Sequence, residues 1–419
     1  MEHKITEIKK GIKIHEIQTN KFKTNLLAVF LSLPLERDTV TKNALVTAVL
    51  RRGTKNMNTQ EKISKHLEEM YGAGFDCGVE KSGDTNTIKF YLEVINNKFL
   101  PEKEDLLKES LNMLFDIVFN PYVENESFKE EYVKSEKENL KQIIEGKIDN
   151  KDLYALERCI EEMYKGEPYG LYKYGYIEDL KDITAKDLYS YYKEMIQKCK
   201  IDIFISGDLK EEVINDVQKN EHIDKLNERN EDILNTENSD KNKENVKEIT
   251  DNMQVTQGKL ILGLTLSNKI DSYASMIYNT ILGVGANSKL FQNVREKESL
   301  AYYCSSNYVK RKQIIMIRSG IEIENKDKAL KIIEEQLSDM ENGKFAEEDI
   351  QNAKNLILET IDNITEEQDT QISYYFGQEL AKSNISIEEY RNKVENIAKE
   401  QIIEIAKNVK INTIYFLRD

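Results

Sequence analysis

The stretch that decides the fold is Ser288–Tyr308, SKLFQNVREKESLAYYCSSNY. Leu290, Phe291 and Val294 fall on one side of a helical turn, which predicts a short helix over about Ser288–Glu296. The turn ends at Arg295, and AYYCSSNYV reads as a strand starting near Ala301. Arg295 and Tyr302 stand at the end of one element and the start of the next, so both can point into one concavity. Arg offers a planar fork of donors and Tyr a phenolic donor. Together they can hold peptide carbonyls or an oxyanion.

Working outward, GKLILGLTL precedes this stretch as an apolar strand, followed by a helix near Ser272–Leu282. After it come the strand QIIMIRSGIEI and long helices near Lys326–Asn342, Ala346–Asn363 and Glu367–Leu380. A helix near Ser386–Lys407, with a break, and the strand NTIYFLR close the chain. The N-terminal half has the same order. KTNLLAVFLSL is a strand, and helices at about Thr39–Arg52 and Thr59–Tyr71 open beside capping residues. The strands FDCGVE and TIKFYLEVI follow, then helices over Glu102–Val118, Glu126–Gly146, Asp152–Tyr164 and Ala185–Ile196, then the strand KIDIFISGDL. Two copies of one order indicate duplication, and strands grouped beside helices indicate an α+β class. Between the copies, residues 219–257 are polar and highly charged. They cannot bury enough surface to offset ordering entropy and read as a linker.

At 419 residues the chain can form two or more domains. A hydrophobic share of 39% with 32% charged residues describes a globular chain. The net charge of −15 argues against nucleic acid, whose phosphates need a basic face, and is compatible with basic peptides. The start, MEHKITEIKKGIKIHEI, carries charges every few residues and is not read as a secretory signal; no apolar run is long enough for a membrane span. Cys77, Cys159, Cys199 and Cys304 form no CxxC pair, so reduced thiols in a cytoplasm are expected.

Several motifs fail on inspection. KHLEEMY suggests a zinc helix, but the residue four after His66 is Met70, not a second His. His3, His15 and His222 lie in no metal spacing, so no metal site is expected in this chain. GVGANSK, Gly283 to Lys289, would need Gly at 288 for a dinucleotide fingerprint, and that residue is Ser288. Gly283 and Gly285 read instead as a tight turn with Asn287 or Ser288 as helix cap. No GxSxG nucleophile elbow is present.

The pattern S-x-LF-x-x-VRE-x-x-x-LAYY in Ser288–Tyr303 resembles the C-terminal signature of the insulinase-like metallopeptidases, the M16 (pitrilysin) family. The likeness extends over nearly the whole chain, through the duplicated halves, Gly207-Asp208 after the last strand of the first half, and the polar linker. It is nearest to the half-length, bacterial, processing-protease-like branch. The resemblance implies the LuxS/MPP-like metallohydrolase fold, two homologous α/β-layered domains at 1–218 and 258–419, each an antiparallel-rich sheet packed by helices, the chain being half of a clamshell.

Active members carry an HxxEH helix running into Gly-Thr. Here that helix is ALVTAVLRRGT, Ala44 to Thr54. The resemblance puts Ala44 at the first zinc His, Thr47 at the catalytic Glu and Ala48 at the second His. The third ligand, a Glu on a later helix, falls on Ile143, or on Gln142 with a one-residue slip. Glu136 matches a more N-terminal acidic position. Zinc hydrolysis needs three protein ligands and a base, so this chain is not expected to be a zinc peptidase by itself. Arg295 and Tyr302 match the family's substrate-holding Arg and Tyr. In two-subunit members one chain carries zinc and a degenerate partner carries this pair. The expectation is a non-catalytic subunit that positions an extended or unfolded peptide for a zinc-bearing M16 paralogue in a heterodimer. The alternative is a stand-alone peptide-binding or assembly protein on a retired peptidase fold.

Overall fold

A computed structural model of the chain describes residues 2–102, 104–210, 213–234, 246–266 and 270–419. The first copy runs β1 (Glu2–Lys9), β2 (Ile12–Gln18), β3 (Thr24–Pro34), α1 (Val40–Leu50), α2 (Gln60–Glu69), β4 (Gly74–Ser82) and β5 (Thr85–Ile95). It continues with α3 (Leu106–Phe119), a small hairpin of β6 (Val123–Glu124) and β7 (Ser127–Phe128), α4 (Glu130–Glu145), α5 (Lys151–Met163), α6 (Ile177–Asp182), α7 (Ala185–Lys198) and β8 (Lys200–Gly207). Then come α8 (Val213–Gln218) and α9 (Glu221–Asp224). The second copy runs β9 (Lys247–Asn252), β10 (Gly258–Thr265), α10 (Ser272–Gly283), a π-helical turn (Phe291–Lys297), β11 (Ala301–Val309) and β12 (Ile314–Ile321). It ends with α11 (Lys326–Glu341), α12 (Glu347–Asn363), α13 (Gln368–Leu380), α14 (Ile387–Glu395), α15 (Lys399–Asn408) and β13 (Lys410–Arg418).

The two sheets show the duplication directly. The first has the order β1-β2-β8-β3-β5-β4 and the second β11-β12-β10-β13-β9. Read from β9, the second follows the first from β2 onward, strand for strand. Each has one parallel pair, at the same place: β2 with β8, and β13 with β9. All other neighbours are antiparallel. The α+β class, with helices against antiparallel-rich sheets, is what the chain adopts.

Two segments depart from the sequence reading. The charged start is a hairpin, β1–β2, turned at Gly11 with φ +74°. Its Ile12 and Ile14 alternate into the core and Ile17 is buried with His15, while the charged residues between them mask the pattern. The stretch 219–257 is not a plain linker. Ile223, Leu226 and Arg229 are buried, and Arg229 donates to the carbonyls of Cys199 and Ile196 at 2.8 Å each. Lys247–Asn252 is strand β9, whose few apolar residues reflect an edge position. Residues 235–245 of that stretch lie outside the described residues.

The chain divides into two compact units, Met1–Glu145 with Leu171–Thr236 and Thr365–Gly377, and Gly146–Gly170 with Glu237–Ile364 and Gln378–Asp419. A contiguous split at 218 and 258 therefore misses two short exchanges. In one, Ala155, Cys159 and Met163 of α5 pack with Ile261 and Tyr415 of β10 and β13. In the other, α13 lies on β3 and β8. Gln368 Nε2 donates to the Ser206 carbonyl at 2.8 Å, and the Phe376 ring meets Phe30 edge-on at 4.6 Å. The unbroken helical periodicity of α5 and α13 does not say which sheet each one covers.

Helix ends follow local chemistry. Thr59 caps α2 by accepting from the Lys62 N–H at 3.3 Å, whereas Thr39 makes no side-chain cap on α1. The final helix is broken as expected, at 396–398 between α14 and α15. All four cysteines are free. No helix among the described residues is long and apolar enough to cross a membrane.

Candidate functional site

Helix α1 is fixed at its start by polar contacts. Thr41 Oγ1 donates to Asp179 Oδ2 at 2.5 Å and accepts from the Tyr176 N–H at 3.0 Å. Arg37 reaches the same carboxylate oxygen at 2.5 Å. Burial acts to raise the Asp179 carboxyl, but the hydrogen bonds from Arg37 and Thr41 outweigh it and hold it below its usual range. Gly175, at φ +76°, passes so close that a Cβ there would sit 2.0 Å from Thr41 Oγ1.

The body of α1 packs against α4 and β4. Ala44 and Thr47 are buried and Ala48 half-buried. Thr47 Oγ1 donates to the Asn43 carbonyl at 2.7 Å, a bond internal to the helix. Cys77 on β4 places Sγ 3.9 Å from the Thr47 carbonyl oxygen. Burial pushes the Cys77 thiol up to about 11. Nothing in the spacing of Cys77 signalled this placement.

On α4, Tyr132, Val133, Glu136 and Leu140 are buried. Glu136 forms an ion pair with Arg52, just past α1, at 3.3 Å. Ile143, two turns beyond Glu136 on the same face, is 47% exposed, and Gln142 is exposed beside it. The structure thus brings the α1 helix and the α4 helix together. The donor set at this corner does not fit a zinc ion: Ala44, Ala48 and Ile143 carry no ligand atom, and the Thr47 hydroxyl is bonded within its own helix.

Arg295 and Tyr302 belong to the other compact unit. The predicted turn is there, but it is a π-turn, closed by the Glu298 N–H donating to the Asn293 carbonyl at 3.3 Å. Leu290 and Val294 anchor it in the core. The wider turn leaves Arg295 outside, with its guanidinium 4.6 Å from the Phe291 ring centre and 3.5 Å from Glu296. Such turns recur at functional sites. Tyr302 sits at a bulge in β11, where the pairing with β12 slips between Ala301 and Tyr303. It is 55% exposed, and its hydroxyl donates to Glu322, which raises its pKa. The π-turn packs on β11, yet each of the two side chains has its own partner.

The glycine turn forms, but Ser288 donates back into it and does not cap the turn that follows. Gly285 has φ +81°, and Ser288 Oγ donates to the Gly285 carbonyl at 2.8 Å. A Cβ at Gly283 would sit 2.4 Å from Ser306 Oγ, so α10 meets β11 there. His66 is half-buried, 3.4 Å from Glu109 and 3.8 Å from Glu69. His3 and His15, not linked by any sequence spacing, meet at 3.2 Å, and buried His15 reaches Asp202 at 3.1 Å.

A family model described as "Peptidase M16 inactive domain" matches residues 182–357. A Bacillus subtilis (strain 168) protein described as "Probable inactive metalloprotease YmfF" is 38% identical over 418 residues, covering 97% of this chain and 96% of that protein. The chain belongs to the M16 peptidase family. Within it, this M16 chain is an inactive metalloprotease homologue. Among solved structures, a conserved protein from Enterococcus faecalis V583 superposes with a TM-score of 0.91 at 28% identity, covering 100% of this chain and 99% of that one. A peptidase M16 inactive domain from Pseudomonas fluorescens gives a TM-score of 0.80 at 16% identity, covering 100% and 98%, and shares the M16 fold. A protease from Helicobacter pylori gives 0.77 at 15%, covering 100% of both chains.

Proposed function

We propose that this M16 chain is the non-catalytic subunit of a heterodimeric zinc peptidase. The partner is a paralogue that carries HxxEH and the zinc ion. The substrate is an extended or unfolded peptide. Arg295 and Tyr302 hold its scissile region for the partner's chemistry, Arg295 through its fork of donors and Tyr302 through its hydroxyl. The observation that carries this reading is a contrast within one chain. The α1–α4 corner has lost its ligands and is packed, while Arg295 and Tyr302 stay in solvent reach on a π-turn and a bulge. The free cysteines support a reducing, cytoplasmic setting.

The test mixes the chain with an HxxEH-bearing paralogue from the same cells and measures cleavage of an unstructured peptide. Cleavage should require both chains. Arg295→Ala should leave the complex intact on size exclusion and lower cleavage about 100-fold, the scale of lost positioning. Full activity in the Arg295→Ala mixture would sink the assigned role.

One observation favours the second reading, a peptide-binding protein with no protease role. β4 ends its sheet, so its outer backbone groups face no strand among the described residues. A hollow of about 740 Å³ beside it is lined by Asp76, Glu93, Glu366, Glu367 and Asp369, which suits a basic peptide. Retention of such peptides by a chain that purifies without a paralogue would favour it.

A further inference from the structure

β11 ends the second sheet, and past its bulge Tyr303 pairs with Gly320, Ser305 with Arg318 and Asn307 with Met316. Residues opposite each other on paired strands share a face. Met316 packs with Cys159 and Met163 of α5, so this is the face that carries α5. The helix lies mainly on β10 and β13. In its first turn Asp152 is already engaged. Tyr303, whose ring covers Gly320, donates its hydroxyl to it, and Lys259 pairs with it at 3.3 Å. Arg318 has no such partner. It is half-buried and its Nε is buried, yet among the described residues its guanidinium makes no hydrogen bond and no ion pair. Ser305, opposite it, is half-buried too, and its hydroxyl makes no hydrogen bond among the described residues.

The chain has 75 acidic side chains against 60 basic ones, so carboxylates to pair with an arginine are plentiful. Withdrawing a guanidinium from water without one is costly. Arg318 and Ser305 instead present unused donors side by side on one face. A planar fork with a hydroxyl beside it matches the two oxygens of a carboxylate. β11 has no strand on its outer side among the described residues, so this face is open to a chain that lies along the edge. The counterpart edge in the first copy, β4, borders the hollow lined by Asp76 and Glu93. The two edges thus carry opposite charge. We propose that Arg318 and Ser305 form a subsite for a carboxylate of the bound peptide, from an Asp or Glu side chain or from its C-terminus. The subsite presupposes the peptide-holding role proposed above.

The probes are three labelled, unstructured peptides of one sequence. The first is end-blocked with a single Glu, the second is end-blocked with Gln in its place, and the third has the Gln and a free C-terminal carboxylate. Fluorescence anisotropy on the full chain, in about 0.15 M salt to screen surface attraction, measures their binding. A carboxylate peptide should bind at least about ten-fold more tightly than the blocked Gln peptide. Preference for the Glu peptide assigns the group to a side chain, and preference for the free-ended peptide assigns it to a chain end. In Arg318→Met the preference should vanish. Arg318→Lys, which keeps the charge without the fork, should restore it only in part. Equal binding of all three peptides, or an undiminished preference in a folded Arg318→Met, overturns the subsite and leaves the peptide-holding role standing. Should Arg318→Met fail to fold, Ser305→Ala decides: it should cut the preference about five-fold, and an unchanged preference overturns the subsite. No binding of any of the three peptides overturns the peptide-holding role and the subsite together.

Discussion

The corner after the inner strand has opposite fates in the two copies. In the first, β3 leads into α1, whose inward positions are Ala44 and Thr47, both buried, with the one hydroxyl bonded inside the helix. In the second, β10 leads into α10 and then a π-turn and a bulge that turn Arg295 and Tyr302 outward. One corner has become packing and the other has kept polar groups in solvent. The difference teaches how one corner of a duplicated fold can be closed. On the proposed reading, a helix with no metal to hold is free to carry small side chains, and its position is then fixed by its seat.

That seat is the first place to break. Gly175→Ala puts a methyl group inside the Thr41 side chain, at a φ of +76° that alanine disfavours. The chain must also give up the bond from Thr41 to the half-buried Asp179 carboxylate. The sum is about 4 kcal/mol, one part strain and one part lost hydrogen bonding. Gly72 is the control. Its φ is +77°, but nothing lies within 4 Å of the added Cβ, so Gly72→Ala should cost about 1 kcal/mol. Urea unfolding of the two variants measures the difference; equal losses would show that Thr41 does not seat α1.

Placing a carboxylate on α1 is the second test. Thr47 is 4% exposed on a helix that packs against α4, where Glu136 is buried. In Thr47→Glu a second carboxylate enters a corner whose Arg52 and Asn139 donors Glu136 already engages. An unpaired buried charge should cost about 3 kcal/mol. Thr47→Val, similar in size and apolar, should cost under about 1.5 kcal/mol, the worth of the hydroxyl's one bond. A Thr47→Glu chain as stable as the wild type would mean that the corner is still an open cleft.

These two corners were not equally legible in sequence. The second was read closely, because VREKESLAYY carries its apolar anchors, its Arg and its Tyr within one short stretch. Only the π-geometry was missed, since a helical turn one residue wider leaves the same apolar spacing at Leu290 and Val294. At the first, the resemblance assigns positions on α1 and α4 by counting from Gly53-Thr54 and along the later helix. What lies around them could not. Cys77 beside Thr47, and Gly175 under Thr41, are contacts between segments 30 and more residues apart with no local mark. The same limit hid β1, β2 and β9. In β1 and β2 the strand period is carried by a few isoleucines among charges, and β9, with Ile249 alone, is a strand because it pairs with β13 at the sheet edge.

The smallest effect sharpens the comparison most. Arg295→Ala and Tyr302→Phe should leave the urea midpoint at the wild-type value. Arg295 is 43% exposed on its side chain, and its ion pair with the adjacent Glu296 is exposed too. The Tyr302 hydroxyl bonds to Glu322 at the surface. One residue along, the outcome reverses. The Tyr303 ring covers Gly320, where a Cβ would come within 2.5 Å of it, and its hydroxyl donates to Asp152. Tyr303→Ala should therefore cost about 3 kcal/mol, as for other large aromatic truncations. The bulge leaves Tyr302 out of the pairing with β12, while Tyr303 is paired opposite Gly320. If Tyr302→Phe lowered the midpoint as far as Tyr303→Ala, Tyr302 would be a packing residue, and the peptide-holding role would lose its ground.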